Sequence, residues 1–186
     1  MHITKGLRTV ALAAVLAGSA SSLAFAADPM VGGAPMMASK TIVENASQAK
    51  NLTTLVAAVK AAGLVDTLSG AGPFTVFAPT NTAFDKLPKG TVEKLTQPDM
   101  KADLTKILTY HVVPGKIDAA EIMKGIKAGG GSYNMKTVEG ETLTAKMDGD
   151  KVALVDAKGG GALVEIADVY QSNGVVHVID SVLMPK

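Results

Sequence analysis

An α+β domain is what this sequence predicts, and three observations carry that expectation. Apolar residues recur at helical spacing through the first half of the chain, β-branched residues run in short stretches through the second half, and turn signals separate those stretches. Helices early and an antiparallel meander late describe an α+β chain, not an alternating α/β one.

The N-terminus comes first. Lys5 and Arg8 precede an uncharged, apolar run over residues 9–23 that ends at Ala24-Phe25-Ala26, the pattern of a cleavable export signal spanning residues 1–26. The run is about fifteen residues, short of the roughly twenty that a spanning helix needs, and no later segment matches it. The expectation is an exported protein with no membrane span after cleavage. Residues 27–39 carry prolines, glycines and methionines without a period, so a flexible lead is expected there and the domain itself over residues 40–186.

Within the domain, Asn51 stands where it can cap a helix in which Leu52, Leu55, Val56 and Val59 share one face, and Gly63 can end that helix in the left-handed conformation. Pro73 to Pro79 frames a short β-type run, after which Thr80 or Asn81 can cap a helical turn through Phe84 and Leu87. A second helix follows Pro98, with Leu104, Ile107, Leu108 and His111 along one face. Asp118 with Glu121 marks the start of a short helix from Ala119 to Lys124. Then come the strands. Thr142 to Met147 and Val152 to Asp156 flank an Asp148-Gly149-Asp150 turn, and Ala162 to Tyr170 and Val175 to Leu183 flank Ser172-Asn173-Gly174.

Composition narrows the chemistry. Cleavage after Ala26 removes two basic residues and leaves 16 against 17 acidic ones, a net charge of about −1, and with Arg8 goes the only arginine. No guanidinium fork remains for phosphate, so nucleic acid is not an expected partner. The chain has no cysteine, hence no disulfide, and the exported part has three phenylalanines, three tyrosines and no tryptophan, a poor supply for stacking sugars or bases. Only His111 and His177 remain, neither in a ligand-spaced pair, and each continues an apolar pattern, so both are expected to be buried and hydrogen-bonded, and no metal or cofactor is expected. Ser181 or Ser172 with His177 and Asp180 supplies the letters of a hydrolase without its nucleophile elbow. Met30, Met36 and Met37 are possible soft ligands for Cu(I) only if they converge. Asn45-Ala46-Ser47 and Asn51-Leu52-Thr53 match the glycosylation acceptor pattern, both where helix is expected.

Three blocks go further. Gly72 to Phe84, with Phe74, Phe77, Thr80, Asn81 and Phe84, resembles the first signature block of the fasciclin domain family. Ile107 to Gly115, with Tyr110 and His111, resembles the family's Tyr-His motif, and Asn173 to Pro185, with His177 and Asp180, resembles its closing block. The resemblance implies a fasciclin-like β-wedge of about seven strands with helices packed against it, found in secreted and cell-surface adhesion proteins, and it carries over no catalytic residue. It makes Tyr110 and His111 the candidate contact residues, while the Asp-Ile element of animal integrin-binding members is not evident here. The remaining motif residues are read as structural. Asp180, in an otherwise apolar closing strand, is expected to clasp that strand to the span Thr75 to His111, with Thr80, Asn81 or His111 as partner.

The leading functional expectation is a secreted or cell-surface, non-catalytic adhesion or protein-interaction module whose partner is an extracellular or cell-surface protein or a matrix component. The alternative is a periplasmic or extracellular binder of a small or lipidic ligand in an apolar groove between helices and sheet.

Overall fold

The computed structural model of the chain describes residues 28–186. The expected export signal therefore lies outside the described residues. Among these residues seven α-helices, one short 3-10 helix (Pro98–Met100) and nine strands follow in order. A hairpin of β1 (Met30–Val31) and β2 (Ala34–Pro35) leads into α1 (Ile42–Ala46), α2 (Thr53–Ala62) and α3 (Val65–Ser69). Next come β3 (Phe74–Pro79), α4 (Asn81–Asp85), α5 (Thr91–Leu95), α6 (Lys101–Tyr110) and β4 (Val112–Pro114). The last part is α7 (Ala119–Ala128), β5 (Ser132–Lys136), β6 (Thr142–Asp148), β7 (Lys151–Val155), β8 (Gly161–Gln171) and β9 (Gly174–Ile179).

The last seven strands form one sheet in the order β4-β3-β9-β8-β7-β6-β5. From β5 to β9 it is the antiparallel meander that the turn signals predict. The early strand β3 inserts beside β9 in parallel, Phe74 opposite Gly174 through Pro79 opposite Ile179. The two ends of the sheet then meet, because the Val138 N–H just past β5 donates to the Val112 carbonyl of β4 at 2.8 Å. Joining the edges leaves fewer unpaired backbone groups to recruit another strand.

Two apolar clusters pack on opposite sides of the β3/β9 pair. Val76, Ala78, Val176 and Val178 face the helices, with Leu52, Leu55, Val59, Leu104 and Leu108. Phe77 and Ile179 face the barrel interior, with Tyr110, Ile122, Leu143, Leu154 and Leu183. Burial on both faces is why these strands read as continuous apolar runs, as central parallel strands do. The pair also lies close: a Cβ on Gly174 would come 1.9 Å from the Phe74 carbonyl oxygen, so only glycine fits there.

Several local expectations hold. Thr80 caps α4 through the Ala83 N–H (3.2 Å), Gly63 ends α2 in the left-handed conformation, and Asp118 caps α7 through the Glu121 N–H (2.8 Å). That last helix runs on to Ala128, beyond Lys124. Other expectations fail for physical reasons. The segment expected to be a flexible lead is part of the fold: Gly32 and Gly33 take positive φ and turn a tight hairpin, and Val31, Ala34 and Met36 are buried in the helical cluster. Composition hid a Gly-Gly turn between two short strands. Asn51 does not cap α2; Asn81 does so from the next block, its Oδ1 accepting from the Thr54 N–H at 3.0 Å while its Nδ2 donates to the Lys50 carbonyl at 3.0 Å. The closing strand stops at Ile179, and Asp180 lies one residue past it.

Candidate functional site

The three signature blocks meet around the β3/β9 pair, and the Tyr-His motif sits where α6 turns into β4. Tyr110 and His111 were the candidate contact residues, yet both are buried, Tyr110 at 0% and His111 at 2% exposure. The reason is their place on the inner side of α6, where each side chain closes a gap in the backbone bonding of another element. The Tyr110 hydroxyl donates to the Thr142 carbonyl and accepts from the Ala157 N–H, both at 3.0 Å, and so ties α6 to the start of β6 and the turn after β7. Burial raises its phenol to about 12, the Ala157 N–H opposing and the carboxylates of Asp156, Glu141 and Glu139 adding to the rise.

Both histidines are neutral clasps with assigned tautomers. The Leu183 N–H points at His111 Nε2 (3.0 Å), so that nitrogen accepts and Nδ1–H donates to the Ile107 carbonyl (2.8 Å). Burial lowers the His111 imidazole to about 4, against smaller upward pulls from the Ile107 carbonyl and Asp156. His177 Nδ1 accepts from the Asp168 N–H (3.3 Å), and Nε2–H donates to the Ile117 carbonyl (2.9 Å). Its ring stacks on Phe77 with centroids 5.5 Å apart. Burial again lowers the imidazole below its ordinary value, opposed by the Ile117 carbonyl and by Asp168 and Asp118.

This geometry leaves little reactive chemistry. All four imidazole nitrogens are spent on backbone groups, which removes the lone pairs a metal or a general base would use. Ser181 is turned away from His177: its hydroxyl donates to Asp180 Oδ1 (3.0 Å) and accepts from Lys86 Nζ (3.2 Å). The expected hydrolase letters therefore do not assemble. Among the described residues no group of three or more His, Asp or Glu side chains lies together to hold a metal ion. Met36 is buried while Met30 and Met37 are exposed, so the three side chains do not share one environment.

Asp180 has a partner from the span Thr75 to His111, but it is Lys86 and not Thr80, Asn81 or His111. Its Oδ2 accepts from Lys86 Nζ at 3.1 Å and its Oδ1 from the Leu163 N–H at 2.8 Å. The side chain is 26% exposed, since it lies beyond the strand end at the surface. Desolvation pulls its carboxyl upward, yet the Leu163 N–H, Lys86 and Ser181 together hold it below the ordinary value. Of the other motif residues, Phe77 and Phe84 are buried in the two clusters, and Phe74 is half-buried against the helical one.

The sequence reading missed one buried network. Asn45 on α1 accepts from the Met37 N–H (3.1 Å), donates to the Met37 carbonyl (2.8 Å) and donates to Gln171 Oε1. Asn173 accepts from the Ile42 N–H (3.0 Å) and donates to the carbonyls of Leu68 (2.7 Å) and Gly70 (3.1 Å). The signal was an asparagine set among apolar α1 residues. It had been read only as a glycosylation acceptor, a role its 1% exposure does not allow in the folded domain.

Apolar space inside the domain is small. A cavity of about 30 Å³ lies among Ile42, Leu55, Val59, Val76 and Leu108, and a neighbouring one of about 20 Å³ lies under Val31 and Met36. Each has room for about one water molecule.

Known proteins place this geometry. The fasciclin domain family model matches residues 50–185. Protein sll1483 of Synechocystis sp. (strain ATCC 27184 / PCC 6803 / Kazusa) is 48% identical over 180 residues, covering 97% of this chain and 89% of that protein. The immunogenic protein MPB70 of Mycobacterium bovis is 38% identical, covering 80% of this chain and 71% of that protein. The cell surface glycolipoprotein MPB83 of the same species is also 38% identical, covering 83% of this chain and 64% of that protein. Among solved structures, a FAS1 domain pair from the insect cell adhesion molecule Fasciclin I superposes with a TM-score of 0.70 at 19% identity. That match covers 78% of this chain and 51% of the pair, so the chain spans about half of it, and the likeness is one of fold.

Proposed function

The chain belongs to the fasciclin domain family, and from that premise we propose that it works outside the cytoplasm as a non-catalytic adhesion or protein-interaction module. One observation carries the reading. The polar atoms of Tyr110, His111 and His177, the residues with the most chemistry to offer, are all bonded to backbone groups inside the fold. A domain whose motif residues are spent on holding its own shape presents a surface, not a reaction centre. The partner is then an extracellular or cell-surface protein or a matrix component, met through exposed side chains. The relative described as a cell surface glycolipoprotein supports the location. So does the apolar run over residues 9–23 behind two basic residues. No helix among the described residues is long and apolar enough to cross a membrane.

The alternative, a carrier of a small or lipidic ligand, has less support. Ligand pockets have volumes of roughly 300–1,000 Å³, and the apolar cavity between helices and sheet holds about 30 Å³. A larger open groove of about 600 Å³ beside Phe84, Leu87 and Val92 is lined also by Asp85, Lys89 and Glu93 and does not lie between helices and sheet. Two measurements test the proposal together. N-terminal sequencing of the exported protein should begin at or near Ala27, and beads coated with it should bind host cells or matrix in a way that soluble domain competes. A cytoplasmic protein with Met1 retained, or beads that bind no better than albumin-coated ones, would overturn it.

A further inference from the structure

The last residues of the chain are held in an unusual way. Past Asp180, whose N–H still donates to the Leu163 carbonyl of β8 at 3.1 Å, the backbone leaves the sheet, and the N–H groups from Leu183 on are taken up by side chains instead of a neighbouring strand. The Leu183 N–H donates to His111 Nε2 (3.0 Å), the Met184 N–H to Asp156 Oδ2 (2.9 Å) and the Lys186 N–H to Glu141 Oε2 (3.0 Å). Pro185 between them has no N–H to place. Every available donor from residue 183 onward therefore ends on a titratable acceptor, and the three acceptors come from three separate elements. Beneath this tail Leu183 is fully buried in the barrel-side cluster, and His111 is covered by it.

We propose that residues 182–186 are an acid-released strap over the Tyr-His segment, with His111 as its trigger. Neutral His111 offers Leu183 a lone pair. Once Nε2 takes a proton it becomes a donor facing a donor, and the bond is replaced by repulsion at a buried site. The carboxylates differ. A carboxyl group has an accepting oxygen in either state, so neither Asp156 nor Glu141 can turn its contact into a donor facing a donor. The burial that keeps the imidazole neutral places its change near about 4.

The surrounding charges do not supply a substitute. Asp156 is the carboxylate that acts on the His111 ring, and its Oδ1 already accepts from the Lys158 and Gly160 N–H groups. Lys106 reaches Glu139 (3.8 Å), Glu141 (3.7 Å) and the Lys186 carbonyl (2.6 Å), so it holds the far end of the strap and not the His111 end. Tyr110 stays a neutral phenol throughout the acid range. Asp103, Lys106 and Lys158 border the open side of the tail. Ahead of the strap, Asp180 stays anchored to Leu163 and Lys86, which sets the hinge at Ser181–Val182. Release would bring His111 to solvent, which the closed fold prevents.

Amide exchange and ¹⁵N NMR on the exported chain between pH 7 and pH 3 test this. The protection factors of Leu183 and Met184 should fall by up to about tenfold per pH unit as pH drops from 6.5 to about 4 and level off below that, while Val176 and Val178 in β9 keep theirs. His111→Gln places an amide oxygen near Nε2 and should leave Leu183 protected at pH 4. Should that variant not fold, the wild-type His111 ¹⁵N shifts decide alone. Leu183 protection that does not change between pH 6.5 and about 4, Leu183 staying protected after Nε2 is protonated, or Leu183 opening only together with β9 would each overturn the proposal.

Discussion

Both ends of the domain are tied down by side-chain hydrogen bonds, but with different chemistry. The N-terminal segment is held by amides, Asn45 against Gln171 and Met37 and Asn173 against Ile42, Leu68 and Gly70. The C-terminal segment is held by His111, Asp156 and Glu141. An amide both donates and accepts at any pH, whereas His111 at the other end loses its accepting lone pair once protonated. The two ends should therefore respond to different insults, one to loss of a partner and the other to protons.

The largest effect that would break this contrast is at the amide end. Asn173→Ala leaves the Ile42 N–H and the buried Leu68 carbonyl without this partner, while the Gly70 carbonyl keeps the Gly72 N–H, at a cost on the order of 3–4 kcal/mol in urea denaturation. The same loss should appear at pH 7 and pH 5, because nothing in that network titrates. A deficit under about 1 kcal/mol would mean that apolar packing of Val31, Met36 and Ile42 alone holds the N-terminal segment.

The pH dependence of wild-type stability is the next largest effect. His111 binds a proton more weakly folded than unfolded, so the unfolded state carries the extra proton and stability falls as pH falls through the window from 6.5 to about 4. Above 6.5 the full contribution is present. The depression of His111 to about 4 makes its share of the loss roughly 3 kcal/mol. His177 adds in the same direction, since its imidazole is lowered too. Denaturation midpoints at pH 7 and pH 4.5 measure the sum, and a flat profile would mean that neither histidine is held neutral.

The smallest effect sharpens where the C-terminal tie begins. Asp180→Ala removes the acceptor of the Leu163 N–H and should cost about 1 kcal/mol, while Asp180→Asn keeps an accepting oxygen and should cost less. Lys86→Ala should change stability by no more than a few tenths of a kcal/mol, because that ion pair is exposed. If Lys86→Ala cost as much as Asp180→Ala, the ion pair and not the backbone bond would be the anchor.

Much of this was legible before any coordinates. The proline-framed β3, the Thr80 and Asp118 caps, the late hairpins and the apolar setting of both histidines follow from spacing and turn chemistry, which act over a few residues. The three signature blocks in order identified the family. The short helices α1, α3 and α5, of five residues each, gave too little periodicity to see.

By itself the sequence determined which residues turn, cap and hide, because those preferences are written in side chains next to one another. Only the tertiary structure decided what they turn toward. It set β3 in parallel beside a strand 100 residues later, lent Asn81 to α2 as its cap, and aimed Asn173 at an Ile42 N–H 131 residues away. It packed a segment that looked like a tether, tied Tyr110 to Thr142 and Ala157, and set His111 against the chain's own tail. Buried polar groups must find partners wherever the fold brings them, and local pattern states only the need for a partner, not its identity.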